Sequence, residues 1–423
     1  MKKLNLSIGW MVLMMLFFST LLPLHIGTTD GNTIKSSVGD ISINDPEIKW
    51  KYETRAAYCP PWSVPNNLIV TDDSIYTLTT EKSVVLSLSF EGEKKWVYGE
   101  GMEGDYLSNI NYNEEKIYMV IDDQLHIFDK QGEKVEVLDR EVTSFSVDKN
   151  GSIYSIIDGD LYSISEDLKT RWKFSGNFFS QIAYDEDNIY LSSSTKFYSI
   201  NKDGSSDWNY NISSPPLMTF KNCIKVVSDS VYFVDDDGGL SKFDKSGDMI
   251  WSIDLGKGAP PVSIDEEGKI YSIKRENHER KLVCINKDGT ISWEKDLGDY
   301  GPDRGYEYPY DEDTLSCFEP LITDDDVIVG IANKLICIGR ADREIKWSMD
   351  WDKPGQIESS PTLGEDDIYV RVSGNVYRIG EKDTEETPSY TLPGTMILLV
   401  GIAIIYQIII GNRGDQLERR SGE

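Results

Sequence analysis

Tryptophan returns through this chain at nearly fixed intervals, and that spacing restricts the fold more than any other feature. The marks are Trp50, Trp96, Trp172, Trp208, Trp251, Trp293 and Trp347. Glycine stands four residues ahead of four of them, at Gly92, Gly204, Gly247 and Gly289. In "DKQGEKVE", Gly132 places a further mark at Glu136, where the tryptophan is missing. The marks then lie 46, 40, 36, 36, 43, 42 and 54 residues apart. A period near 40 is that of a solenoid or a propeller.

Every period has the same contents. A short apolar segment such as "PVSI" is followed by an acidic turn, for example "DEEGK" at 265–269. Alternating segments such as "IYSI" and "LVCI" come next, then an acidic turn with glycine, then the segment that ends in tryptophan. Apolar residues alternating over four to six positions between Gly, Asp and Asn turns read as strands and hairpins. Four strands per period is the content of one propeller blade. The last period supplies three strands and then meets the charged segment "EKDTEETPS". "DPEIKW" at 45–50 is an outer strand with nothing before it. Joining the two completes an eighth blade and removes the open sheet edges of an unclosed array. The sequence therefore predicts an all-β, eight-bladed propeller of four-stranded antiparallel blades over residues 43–382, closed by its N-terminal strand.

The glycines, Gly132 included, suit positive φ in the hairpin between third and fourth strands. The tryptophans are expected to lie against the neighbouring blade and to donate the indole N–H to a backbone carbonyl. "DKSGDMIW" and "NKDGTISW" resemble the PQQ-like repeat family, whose repeats end in Asp-x-x-Thr-Gly-x-x-x-Trp; Ser246 and Asp288 stand where that pattern has Thr. The resemblance spans nearly all of residues 43–382 and implies eight blades with interlocking tryptophans. It also implies one of two roles: a quinoprotein dehydrogenase, or a binding scaffold like the outer-membrane assembly propeller. The dehydrogenases commonly carry a vicinal disulfide, and no two cysteines are adjacent here. Asp-box spacing, GxSxG and phosphate-binding loops do not occur, and His25, His126 and His278 are scattered. No catalytic, cofactor-binding or metal-ligating residue is assigned and no cofactor is expected. The acidic turns recur on one face, which is expected to be strongly negative.

Two long connections open the opposite face, at 54–66 and 298–320. Tyr58, Trp62, Tyr300, Arg304, Tyr306, Tyr308 and Tyr310 make a candidate binding surface there, suited to a protein or glycan. Each connection holds a cysteine, so Cys59–Cys317 is a candidate disulfide; Cys284 and Cys337 fall in equivalent apolar strands and are expected in the core. Asn150-Gly-Ser and Asn211-Ile-Ser are glycosylation triplets.

Both ends are apolar. Lys2 and Lys3 precede the run from Leu4 to Ile26, so residues 1–28 read as a signal peptide or signal anchor. Residues 392–411, "LPGTMILLVGIAIIYQIIIG", have the length of a membrane-crossing helix, after a linker at 383–391 and before a tail at 412–423. Arg413, Arg419 and Arg420 follow that run and acidic residues precede it, which places the tail in the cytoplasm and the propeller outside. A formal net charge of −29 argues against nucleic acid as a partner. The expectation is a single-pass cell-membrane protein whose external propeller is a non-catalytic binding or scaffolding module for an envelope protein or surface glycan. The alternative is a dehydrogenase-like or carbohydrate-active enzyme using the central funnel.

Overall fold

The computed structural model describes residues 41–54, 68–79, 84–99, 107–113, 115–214, 223–256, 262–276, 279–299, 318–352 and 356–383. These form eight four-stranded antiparallel sheets. Blade 1 holds Leu68–Val70, Ile75–Thr79, Val84–Leu88 and Lys94–Tyr98, counted from the axis outward. Blades 2 to 7 repeat the order within 107–138, 142–174, 183–211, 224–254, 263–299 and 321–350.

Blade 8 is assembled from both ends of the described fold. Thr362–Gly364, Asp367–Val372 and Asn375–Glu381 supply the inner three strands, and Pro46–Tyr52 supplies the outermost. Pro46 lies opposite Glu381, and Lys51 opposite Tyr377. The Asn44 amide donates to Glu381 Oε2 at 2.6 Å, and the Thr54 hydroxyl donates to the Gly374 carbonyl at the other end of the strand. The ring is thus closed by backbone pairing between segments more than 300 residues apart.

Alternation puts apolar side chains on both faces of the inner strands, because each sheet is covered on both sides by its neighbours. Clusters accordingly combine adjacent blades: Tyr271, Leu282 and Cys284 of blade 6 pack with Val327, Ile336 and Ile338 of blade 7. Cys223, Cys284 and Cys337 are buried. Cys59 and Cys317 lie outside the described residues.

Antiparallel order sorts the loops onto two faces. The turns joining first to second and third to fourth strands share one, the turn face. The turns joining second to third strands, and the connections between blades, share the connection face. Asn150 and Asn211 are both exposed. Among the described residues no helix is long and apolar enough to cross a membrane; the runs at 4–26 and 392–411 lie outside them.

Candidate functional site: two faces of the ring

The turn face is built around the tryptophans. In all eight blades the outer pair of strands has a register shift at the residue just before the mark. A bulge there re-aims the side chain toward the next blade. The Trp50 indole donates to the Phe90 carbonyl at 2.7 Å, Trp96 to Lys130 at 2.8 Å, and Trp172 to Lys202 at 2.9 Å. Trp208 donates to Lys245 at 2.9 Å and Trp251 to Lys287 at 3.0 Å. Each ring lies over the glycine two residues beyond its acceptor: a Cβ added at Gly92, Gly132, Gly204, Gly247 or Gly289 would sit 2.5 to 2.8 Å from an indole carbon. Each glycine therefore receives the tryptophan of the preceding blade, and in every such blade but that of Gly132 the blade's own tryptophan reaches forward. Trp347 has no following hairpin to meet and donates to the Ile43 carbonyl at 2.6 Å.

Two seams differ. Glu136 occupies the mark in blade 2, and the blade 3 hairpin carries Leu168 at φ 57° instead of glycine. With no indole arriving, a side chain is accommodated, and Leu168 packs against the cluster shared by blades 2 and 3. After Trp293 the blade 7 hairpin is one residue longer, with the Gly339 amide bonded to the Glu344 carbonyl and Arg343 at φ 62°.

The lysine that supplies the acceptor carbonyl uses its ammonium as well. Lys245 pairs with Asp185 of the preceding blade and sits 5.1 Å from the Tyr190 ring, while Tyr190 donates to Asp185 at 2.9 Å. Lys202 lies 3.8 Å from Asp148 and 5.2 Å from the Tyr184 ring. In blade 7 the role passes to Arg340, which pairs with buried Asp265, donates to the Tyr271 hydroxyl at 3.1 Å and donates to the Thr323 and Asp324 carbonyls at 3.0 and 2.9 Å. Arg378 pairs with Asp367 and donates at 2.6 Å to the Phe90 carbonyl that also takes Trp50. The first carboxylate of several acidic turns is thus held by a cation, often from the next blade, and the negative face expected from sequence is partly neutralised at its base. The second and third carboxylates, such as Asp187 and Glu267, remain exposed.

These pairs make stability depend on acid in a defined direction. Burial pushes the Asp185 carboxyl up, but the Lys245 ammonium and the Asn188 and Asp187 amides outweigh it and hold the group below the usual range. A depressed native pKa contributes stability above the unfolded value of about 3.9, lost as pH falls through the native value. In Lys245→Met the desolvation remains and only the amides oppose it, so the carboxyl protonates at higher pH. Melting curves of both proteins from pH 7 to pH 2 should show the variant less stable at neutral pH, with the difference closing below about pH 4. A constant difference throughout would mean that Lys245 acts only through its packing.

The connection face carries a different chemistry at its inner rim. Lys225, near the start of the first strand of blade 5, pairs with Glu319 just ahead of blade 7 at 2.7 Å. Ser263 of blade 6 lies between them and donates to the Pro320 carbonyl and, at 3.3 Å, to Glu319. In blade 8, buried Arg371 and Glu358 pair at 3.1 Å, and Glu358 accepts the Gly374 amide at 2.8 Å. Arg275 and Arg280 lie opposite each other in blade 6 and are buried. Blades 5, 7 and 8 therefore contribute paired charges, and blade 6 two buried arginines, on the connection face.

This rim flanks the anchors of both long connections, Thr54 and Leu68 for one, Asp299 and Phe318 for the other. Tyr58, Trp62, Tyr300, Arg304, Tyr306, Tyr308 and Tyr310 lie outside the described residues. Sequence reading missed the rim because its residues are single polar positions inside apolar strands. It also missed the clasps, although their signal was present: "DKQG", "NKDG", "DKSG" and "NKDG" place lysine at one position of the repeat. His126 is in the third strand of blade 2, stacked at 6.2 Å with Phe128, and burial pushes its pKa down. Among the described residues no three His, Cys, Asp or Glu side chains are grouped to hold a metal ion.

Comparison with known proteins agrees with this architecture. A family model described as outer membrane protein assembly factor BamB matches residues 139–269. The crystal structure of BamB from Moraxella catarrhalis superposes with a TM-score of 0.60 at 12% identity, over 79% of this chain and 99% of that one. A europium-containing methanol dehydrogenase gives 0.56 at 11% identity, covering 77% and 84%. The computationally designed protein Ika8 gives 0.57 at 8% identity, covering 81% and 100%. No curated protein sequence matches the chain. The chain is thus a closed eight-bladed β-propeller with tryptophans interlocked around the ring, and its central residues 139–269 are similar to the PQQ-like repeat family.

Proposed function

We propose that the propeller is a non-catalytic binding or scaffolding module for an envelope protein, held outside the cell membrane by the helix expected at 392–411, with its tail in the cytoplasm. One observation carries the reading. The Asp–Tyr pairs that recur at the turn face, the best-placed groups for acid–base chemistry, are engaged by lysine or arginine in clasps between blades. What departs from the minimal repeat is the connection face, which carries the ion pairs Lys225–Glu319 and Arg371–Glu358 and from whose strand ends two long aromatic-rich segments of the sequence depart. Aromatic residues with arginine are the composition of a recognition surface. BamB, an assembly factor of the outer membrane by its description, has this fold.

The test is crosslinking on intact cells with the full chain and with residues 301–316 deleted. A partner band recovered with the parent and lost with the deletion supports a binding role for this face. Equal recovery removes it, and a band digested by glycosidases alone would identify a glycan instead. The similarity to a methanol dehydrogenase fold supports a second reading, an enzyme using the central funnel. Purified protein incubated with calcium and quinone, then desalted, distinguishes the two: a retained quinone chromophore contradicts the non-catalytic reading.

A further inference from the structure

We propose that Asn211 carries an N-linked glycan, that Asn150 does not, and that the glycan shields two sheet edges that lack cationic side chains. This rests on the reading above that the propeller is external, and adds a modification to it. Each asparagine is exposed and heads an Asn-x-Ser triplet, so sequence alone treats them alike. The step joins the Asn side-chain nitrogen to the anomeric carbon of a lipid-phosphate-linked oligosaccharide. The amide loses one proton, the lipid phosphate leaves with the C–O electron pair, and nothing is oxidised. The transferase must reach both the amide and the hydroxyl two residues on.

The fold separates the two triplets. Asn150 lies in a tight turn of blade 3, with Gly151 at φ 75° and the Ser152 amide held by Asp148 at 2.9 Å. The Ser152 hydroxyl is buried and accepts Arg171 Nη1 at 2.8 Å. Asn211 instead ends the outermost strand of blade 4, opposite Lys196, and the Ile212 amide continues the pairing with the Thr195 carbonyl at 3.0 Å. Asn211 and Ser213 are both exposed, and neither side chain has a hydrogen-bond partner among the described residues.

The neighbourhood supplies the reason for a cover. Sheet edges are kept from pairing with other chains by charged side chains, lysine above all. Six of the eight outermost strands carry Lys or Arg: Lys49 and Lys51, Lys94 and Lys95, Lys134, Arg171 and Lys173, Lys295, and Lys346. Those of blades 4 and 5, "SDWNYN" and "MIWSID", carry none. Met249 and Ile250, side by side on the second of these edges, are 44% and 53% exposed. The Tyr210 hydroxyl, next in the chain to Asn211, donates to Met249 Sδ at 3.6 Å and joins the two edges. A bulky, hydrated glycan at Asn211 stands where the lysines are missing.

The experiment takes the full chain from cells that produce it and analyses the tryptic peptides 203–221 and 150–169 by mass spectrometry. A glycan is expected on the first and not the second, lost in Asn211→Gln and in Ser213→Ala and kept in Asn150→Gln. An unmodified 203–221 overturns the site. A glycan on 150–169 as well means transfer before folding, and overturns the selection by structure. Proteinase K added to intact cells checks the reading beneath: a propeller left undigested shows that it is not external, and the proposal falls with that reading. In size exclusion, Asn211→Gln should shift to oligomers as concentration rises, and Asn211→Gln with Ile250→Lys should return to the parent's elution. Asn211→Gln eluting as the parent at every concentration overturns the shielding.

Discussion

Deleting residues 41–52, with everything else retained, is expected to abolish cooperative unfolding of the propeller. The segment supplies one whole strand of blade 8, paired from Pro46–Glu381 to Tyr52–Val376. It also carries Trp50, which lies 6.0 Å from Tyr369 and donates to Phe90 in blade 1. Its first residues receive Trp347 from blade 7. Both seams flanking blade 8 are therefore lost together. Truncating a fully buried tryptophan costs about 3–5 kcal/mol; half-buried Trp50 goes together with a whole strand and the seat of buried Trp347, and a domain has only about 5–15 kcal/mol in total. The deletion also exposes the edge of Asn375–Glu381, an open template for pairing with another chain. Calorimetry should show no sharp transition, size exclusion should show oligomers, and a peptide of residues 41–54 added in trans should restore both. A variant melting within about 2 °C of the parent would show that the strand contributes little to the ring.

Gly132→Ala is expected to destabilise the protein by clearly more than Gly268→Ala, though both glycines share nearly the same backbone conformation, φ 83° and 81°. An alanine at either pays the strain of a left-handed conformation, of order 1–3 kcal/mol. At Gly268 the nearest atom to the added Cβ is Lys287 Cδ at 3.5 Å, an ordinary contact. At Gly132 it is Trp96 Cδ2 at 2.5 Å, which forces the indole out of its seat. Overpacking of that kind costs about a further 1–3 kcal/mol. Urea titration of the two variants isolates the extra term. In a Trp96→Ala background it should disappear, leaving Gly132→Ala and Gly268→Ala alike. Equal costs in the parent background would mean that the indole adapts freely.

Blade number and closure were legible because one bulky residue type marks the same strand in almost every blade, and because the first and last periods were incomplete in complementary ways. The partner of each tryptophan was not legible. The sequence places Gly132 four residues ahead of Glu136, in its own blade, whereas the structure seats Trp96 on it from the blade before. That pairing explains Leu168: a missing tryptophan at Glu136 removes the need for glycine in the following hairpin. The lysines at 202 and 245 looked like ordinary hairpin residues because their partners, Asp148 and Asp185, lie 54 and 60 residues earlier, in the preceding blade. The rim pairs Lys225–Glu319 and Arg371–Glu358 join positions that no local pattern relates.

Closure by the chain's own first strand is tested most directly by a covalent bond across it. Pro46 and Glu381 are opposite each other in register, so Pro46→Cys with Glu381→Cys, in a background lacking Cys59 and Cys317, places two thiols at disulfide distance. Oxidation should give a single monomeric, intramolecularly bonded species, and the closed loop should add about 2–4 kcal/mol to stability. Reduced monomer resistant to oxidation, or bonds formed only between molecules, would contradict a ring closed by residues 46–52.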